Sequence, residues 1–150
     1  MNAFDILMKR IKPPICEYEA TFDGGSRGNP GLCGAGANLS KNGVEIWYTS
    51  KVVSTSNTNN YAEYSALILA LDEICNRNIS HVKVYGDSQL IVKQLTGQCK
   101  VKCDNLIPMY KKAMEFVNKI GDVQFIHVKR DLNKRADALA NLAMDSYLKS

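Results

Sequence analysis

The spacing of apolar residues changes from a two-residue period to a helical period after residue 60, and this order restricts the fold more than any other feature. Tyr18, Ala20 and Phe22 alternate with polar residues, which predicts a strand with one buried face. Gly24-Gly25 follows and is expected to end that strand. Asp23 is therefore expected at the end of a strand.

A hairpin is expected next. Asn42-Gly43 separates two strand-like segments, residues 35–41 and 44–53. This dipeptide favours a tight turn in which both central residues take positive φ. Three antiparallel strands are therefore expected to open the fold.

Helical and strand patterns alternate through the rest of the chain. The expected elements are a helix over 61–76, a strand over 81–87, helices over 88–97 and 105–120, a strand over 123–128 and a helix over 133–148. A helix between an antiparallel meander and a further strand implies a crossover and a parallel pairing. The order predicts an α/β fold, in which helices flank a mixed sheet of three antiparallel and then parallel strands.

Length and composition narrow the class of protein. The chain has 150 residues, 45% of them hydrophobic, which suits one globular domain. We interpret residues 1–15, which end in Pro13-Pro14, as a lead-in and residues 16–150 as the domain. Neither a membrane-spanning segment nor a secretion signal is expected, since no run reaches roughly 18 apolar residues and charges interrupt the N-terminus. Five cysteines, an odd number, favour reduced thiols and an intracellular location.

Four carboxylates fall at the ends of the predicted elements. Asp23 and Asp87 are expected to end strands, while Glu63 and Asp137 are expected in the first turns of two helices, beside their apolar faces. Acids gathered close to a core repel one another unless a cation compensates them. Oxygen ligands favour Mg²⁺ or Mn²⁺, whereas zinc is not expected, because Cys99 and Cys103 are the only closely spaced cysteines.

A structural interpretation exists for each acid taken alone. Asn60 followed by Glu63 matches a capping box, and either Asp87 or Ser88 would cap the next helix. Acids are also favoured in first turns by the helix dipole.

Four sequence blocks around these acids resemble the motifs of type 1 ribonuclease H, in the same order. They are FDGGSRGNPG at 22–31, TNNYAEYSAL at 58–67, VYGDSQLIVKQLTG at 84–97 and HVKRDLNKRADALAN at 127–141. The resemblance covers nearly everything after residue 16, and each block holds one of the four acids at the expected place.

The resemblance implies a five-stranded mixed sheet and an endonuclease that cuts the RNA strand of RNA/DNA hybrids. It implies two Mg²⁺ ions, with Mn²⁺ as a substitute, and products with 5′-phosphate and 3′-hydroxyl ends. Asp23 would bridge both ions, and Asp137 would help to hold the ion that activates water. Glu63 and Asp87 would hold the other.

The resemblance also implies contacts with the hybrid, whose strands differ by the ribose 2′-hydroxyl. The candidate substrate-binding residues are Gly24, Gly25, Ser26, Asn29, Asn59, Asn60, Ser88, Gln89, Arg130 and Asn133. For Asn59 and Asn60, helix capping is the alternative. Lys93, Lys100, Lys102, Lys111 and Lys112 would follow phosphates or form an ordinary solvated face.

Two features depart from the family pattern. Only about ten residues separate Gly97 from the next helix, so the long basic protrusion of some members is absent and weaker binding is expected. Residues 129–136 contain no histidine where many members carry one, which is similar to the histidine-lacking archaeal, plant and reverse-transcriptase-like branch. His127 falls within the predicted strand and is interpreted as structural. Arg130 or Asn133 is a candidate replacement, as a phosphate ligand.

Three hypotheses remain open at this point: a hybrid-specific nuclease, a scaffold that binds nucleic acid or protein without cutting, and a nuclease that also cuts double-stranded RNA. The intact set of acids favours catalysis over the second. The chain is expected to act as a monomer and to bind no membrane.

Overall fold

The computed structural model describes residues 16–150, so the predicted lead-in over 1–15 lies outside the described residues. The strands are β1 (Tyr18–Gly28), β2 (Gly31–Lys41), β3 (Val44–Asn57), β4 (His81–Gly86) and β5 (Asp122–His127). The helices are α1 (Asn59–Asn76), α2 (Gln89–Leu95), α3 (Ile107–Ile120) and α4 (Lys134–Lys149), with a 3₁₀ turn over Arg130–Leu132. Within this part of the chain, no helix is long and apolar enough to cross a membrane.

The strands form one mixed sheet in the order β3-β2-β1-β4-β5. The first three are antiparallel neighbours, whereas β4 pairs in parallel with both β1 and β5. The turn between β2 and β3 has φ of 51° at Asn42 and 81° at Gly43, as the dipeptide predicts. The predicted mixed sheet with its crossover is confirmed.

Helices cover both faces of this sheet. The main core lies between the sheet and α1, with α3 packed against α1, and Phe22, Leu39 and Leu67 are fully buried in it. On the opposite face α4 lies unusually close to β2, because glycine there leaves room for the helix backbone. A Cβ on Gly36 would lie 2.3 Å from the Ala136 carbonyl oxygen. The backbone of α4 therefore lies directly against the middle of the sheet.

The prediction that Gly24-Gly25 ends the first strand is wrong. β1 continues to Gly28, because Gly24 and Gly25 keep pairing with Ala35 and Gly34 of β2. Pairing between β1 and β4 does stop earlier, at Thr21 opposite Tyr85. Asp23 thus lies within a strand, but beyond the point where β1 and β4 separate.

The predicted capping box at α1 is also wrong. The helix begins at Asn59, and Thr58 caps it, since its Oγ1 accepts a hydrogen bond from the Tyr61 amide at 3.2 Å. Glu63 therefore lies in the second turn, where no cap requires an acid. At α2 the cap is Ser88, whose Oγ accepts from the Ile91 amide at 3.3 Å, so Asp87 is not needed for capping.

Candidate active site

A cleft of about 510 Å³ opens at the edge of the sheet where β1 and β4 separate. Its walls come from the second half of β1, the N-terminal parts of α1 and α4, the β4–α2 junction and the 3₁₀ turn. All four predicted carboxylates line it: Asp23, Glu63, Asp87 and Asp137.

Each acid is positioned by a different element. Asp23 projects from β1 and is only 7% exposed. Glu63 lies on α1, whose backbone rests directly on β1, because a Cβ on Gly24 would lie 2.3 Å from the Glu63 amide nitrogen. Asp87 follows the last residue of β4, and Asp137 lies in the first turn of α4. Segments far apart in sequence are therefore held against one another at this point.

Asn133 connects two of these segments. It is 1% exposed, and its Nδ2 donates a hydrogen bond to the Phe22 carbonyl at 3.0 Å. Its own carbonyl accepts from the Asp137 amide at 3.1 Å. Asn133 therefore ties the start of α4 to the residue that precedes Asp23, beneath the cleft.

Burial and neighbouring carboxylates raise the pKa values of Asp23 and Glu63. Burial, followed by the charge of Asp87, raises the pKa of Asp23 from 3.8 to about 8, and Asp137 and Glu63 add to this effect. Burial also raises the pKa of Glu63 from 4.5 to about 7; Asp87 adds to the rise, while the Ser88 hydroxyl and the Arg130 charge oppose it. The cleft therefore favours binding of protons or other cations at neutral pH.

The donor set fits a hard divalent cation. Glu63 Oε2 is buried without a hydrogen-bond partner. The lining residues include four carboxylates but neither histidine nor cysteine, which suits Mg²⁺ or Mn²⁺. Within residues 16–150, no three acid, histidine or cysteine side chains already stand in an arrangement that holds an ion. We therefore expect the carboxylates to close in on a cation when it binds.

The predicted substrate contacts divide into two groups. Six of the ten line the cleft: Gly24, Gly25, Ser26, Asn59, Ser88 and Arg130. The other four do not: Asn29, Asn60, Gln89 and Asn133.

Two asparagines of this set fasten the rim of the cleft. Asn59 Oδ1 accepts from the Ser26 amide at 2.7 Å, and Asn29 Oδ1 accepts from the Asn59 amide at 3.2 Å. These bonds join the end of β1 to the start of α1. The capping alternative for Asn59 and Asn60 is not what the structure shows, because Thr58 is the cap.

Four lining residues were not among the predicted site residues: Arg27, Ala140, Asn141 and Met144. The three on α4 follow Asp137 at helical spacing, so their face of the helix was predictable from the sequence. Arg27 carried no such signal.

The five lysines that were candidates for phosphate contacts lie outside the cleft, and only Arg27 and Arg130 bring positive charge to its described lining. Lys93 is on α2 and Lys111 and Lys112 are on α3, while Lys100 and Lys102 lie between these helices. All except Lys93 are exposed. His127 lies in β5, as predicted, but it is the last residue of that strand, and its side chain is exposed.

Without divalent ions, the cleft is expected to make stability fall as pH rises from about 4 to about 8. The native pKa values of Asp23 and Glu63, about 8 and 7, exceed the ordinary 3.8 and 4.5, so the native state binds more protons than the unfolded state in this window. Urea unfolding in EDTA would measure the free energy of unfolding against pH. The contribution of the two acids is the difference in free energy of unfolding between wild type and an Asp23→Asn, Glu63→Gln double variant. If this difference were constant from about pH 4 to about pH 8, the prediction would be contradicted.

The sheet order, the covering helices and the carboxylate cleft together define a protein of the ribonuclease H-like fold class. A family model described as "Reverse transcriptase-like" matches residues 21–143. Ribonuclease HI of Halobacterium salinarum is 41% identical over 84% of this chain, and the match spans 63% of that relative. Ribonuclease H of Methylobacillus flagellatus is 34% identical over 87% of this chain and 93% of its own length.

Solved structures agree. Ribonuclease H1 of Halobacterium salinarum superposes with a TM-score of 0.82 at 40% identity, over 86% of this chain and 98% of that one. A ribonuclease H1 crystallised in complex with an RNA/DNA hybrid gives 0.83 at 35% identity, over 87% and 99%. The chain belongs to the type 1 ribonuclease H family. It spans 63% of the Halobacterium relative and 35% of a bifunctional protein of Mycobacterium tuberculosis that is 38% identical to it.

Proposed function

We propose that this chain hydrolyses the RNA strand of RNA/DNA hybrids with two bound Mg²⁺ ions, for which Mn²⁺ can substitute. The observation that carries the proposal is one cleft lined by four carboxylates, with Glu63 Oε2 buried and unpartnered. Relatives named ribonuclease H, and a similar ribonuclease H1 crystallised with a hybrid, support the choice of substrate.

The acids divide the metal-binding task. Asp23 is surrounded by the other three and would be shared by both ions. Asp137 would help to hold the ion nearest the attacking water, while Glu63 and Asp87 would hold the other. When bound, such an ion pair lowers the pKa of a water molecule and stabilises charge on the attacking and leaving oxygens. Hydrolysis by this route leaves 5′-phosphate and 3′-hydroxyl ends.

The remaining residues support the four acids. Arg130 and the Ser88 hydroxyl both favour the charged form of Glu63, and so prepare it for a cation. Asn133 maintains the spacing between Asp23 and Asp137 through its bonds to Phe22 and the α4 backbone. Because every group is supported by a strand or a helix terminus, little reorganisation is needed beyond closure of the carboxylates.

Recognition of the RNA strand would fall to the rim. Gly25 lines the cleft and has no side chain, so a sugar-phosphate backbone can approach β1 closely there. Short polar groups at Ser26, Asn59 and Ser88 suit a 2′-hydroxyl, which both donates and accepts hydrogen bonds. Exposed lysines on α3 and before it would attract phosphates without reading sequence.

A strand-specific assay tests the proposal. An RNA/DNA hybrid labelled on either strand, an RNA duplex and a DNA duplex are incubated separately with Mg²⁺, Mn²⁺ or EDTA. We expect cutting of only the RNA strand of the hybrid, with either metal and not with EDTA, and fragments that carry 5′-phosphates. Cutting of the RNA duplex as well would indicate a less selective nuclease, and binding of the hybrid without cutting would indicate a scaffold that has lost catalysis.

A further inference from the structure

Two arginines line the acidic cleft, and they are placed differently. Arg27 and Arg130 are the only cationic residues among the described residues that line it. The charge of Arg130 acts on Glu63, inside the cleft. Arg27 instead forms an ion pair with Asp145, with 2.6 Å between Nη2 and Oδ1. Asp145 is on α4 and does not line the cleft. Of the two arginines that line the cleft, Arg27 is therefore the one that forms an ion pair with a carboxylate outside it.

This ion pair lies in solvent at the rim. The Arg27 side chain is 35% exposed and that of Asp145 is 51% exposed. Exposed pairs of this kind contribute little to stability and separate easily. If Arg27 turned away, water would hydrate the Asp145 carboxylate again. Exchanging Asp145 for another anionic partner of Arg27 therefore costs little free energy.

The backbone of Arg27 is nevertheless well fixed. The preceding residue, Ser26, donates its amide to Asn59 Oδ1, and β1 pairs with β2 at Arg27 opposite Leu32. The long side chain thus starts from a rigid point beside the four acids. A guanidinium group matches two phosphate oxygens at once, and a phosphate entering a cleft of carboxylates needs such a counter-charge.

We propose that Arg27 is a phosphate-binding residue for the hybrid, and that Asp145 occupies it until substrate arrives. On binding, Arg27 exchanges the Asp145 carboxylate for a backbone phosphate beside the metal-binding acids. Asp145 then acts as a competitor that lowers affinity for any polyanion. This inference rests on the proposed function, since it assumes that a hybrid enters this cleft.

The proposal makes the two halves of one ion pair act in opposite directions. Removing Arg27 should weaken hybrid binding, whereas removing Asp145 should strengthen it by releasing Arg27. A purely structural ion pair would give the same sign for both, because either change removes the same contact.

Hybrid binding by fluorescence anisotropy tests this, with Asp87→Asn in every protein and Mg²⁺ present so that the RNA strand survives. We expect Arg27→Met to weaken binding about tenfold and to lower the slope of log affinity against log salt by about 1. Arg27→Lys should fall between Met and Arg, since lysine keeps the charge but not the fork. Asp145→Asn should tighten binding up to about fivefold, and this gain should vanish in the Arg27→Met background.

Glu73→Gln is the matched control. It removes one negative charge and frees Arg77 from a 3.2 Å ion pair at the C-terminal end of α1, and Arg77 does not line the cleft. Its affinity should change less than about twofold, because surface charges act weakly at a distance in salt. Thermal melting should show equal, small losses for Arg27→Met and Asp145→Asn, which excludes unfolding as the cause.

Three results would overturn the inference: Arg27→Met and Asp145→Asn changing affinity in the same direction, a gain from Asp145→Asn that persists without Arg27, or an equal gain from Glu73→Gln. If the hybrid binds and neither variant changes its affinity, the inference fails and the proposed function stands. If the parent protein does not bind the hybrid at all, both fail together.

Discussion

Asp23→Asn is expected to slow RNA cleavage by orders of magnitude while it stabilises the protein in the absence of divalent ions. Burial, followed by the charges of the three neighbouring carboxylates, raises the pKa of Asp23 to about 8. At pH 8.5 the native state therefore holds an ionised group in an unfavourable place, and the neutral amide removes that repulsion without changing the shape. With metal present, the same change removes the carboxylate proposed to be shared by both ions.

The size of each effect follows from its cause. Loss of several kcal/mol of transition-state stabilisation corresponds to roughly 10²–10⁴-fold in rate, measured as kcat/KM on a labelled hybrid. Thermal melting in EDTA at pH 8.5 should show a Tm several degrees above that of wild type. The exposed Asp72 on α1 provides the control: Asp72→Asn should change neither quantity. Reduced activity together with a lower metal-free Tm would mean that Asp23 supports the fold and that the acids do not repel one another.

Gly24→Ala is expected to be the most destabilising single methyl addition in the site. A Cβ at this position would lie 2.1 Å from the Ala62 carbonyl carbon and 2.3 Å from the Glu63 amide nitrogen. These are backbone atoms of α1, so the whole helix must shift, and Glu63 shifts with it. Insertions into well-packed contacts cost about 1–3 kcal/mol and occasionally more. At this chain length, 3 kcal/mol lowers Tm by roughly 6–12 °C.

Gly25→Ala is the matched control for this change. The next glycine faces the other side of the sheet, where an added Cβ would meet only Met144 Cε, at 3.5 Å. It should retain nearly wild-type Tm, whereas Gly24→Ala should lose both stability and cleavage. Similar melting temperatures for the two variants would show that α1 is not held against Gly24 as described.

Local sequence signals identified most of the elements but misplaced their ends where another backbone packs against them. Gly24-Gly25 is typical of a turn, yet here the absence of a Cβ at Gly24 allows the close approach of α1, and β1 continues to Gly28. Likewise Asn60 is a good cap residue, but Thr58 occupies the position from which a side chain reaches the Tyr61 amide. The ends of these elements depend on tertiary contacts between residues far apart in sequence, which a short sequence segment does not reveal.

The site was predictable to the extent that its residues lie in recognisable blocks. The apolar periodicity and the composition did not exclude a purely structural role, such as helix capping, for each acid. A shared site was favoured by the resemblance of four sequence blocks, in order, to one family. Asn133 was predicted to contact substrate, but its side chain is buried and bound to the Phe22 carbonyl, 111 residues away in sequence. The pairing of Arg27 with Asp145 also joins distant segments, so neither residue alone indicated it.

The central claim is that the four carboxylates act together as a divalent-ion site, and Mn²⁺ titration followed by the electron paramagnetic resonance signal of the free ion tests it most directly. Wild type and Asp72→Asn should both bind Mn²⁺ in competition with Mg²⁺. Asp23→Asn should bind Mn²⁺ at least about tenfold more weakly, because losing a direct ligand should cost at least as much metal affinity as losing a residue that supports one. Superimposable titrations for wild type and Asp23→Asn would contradict the account.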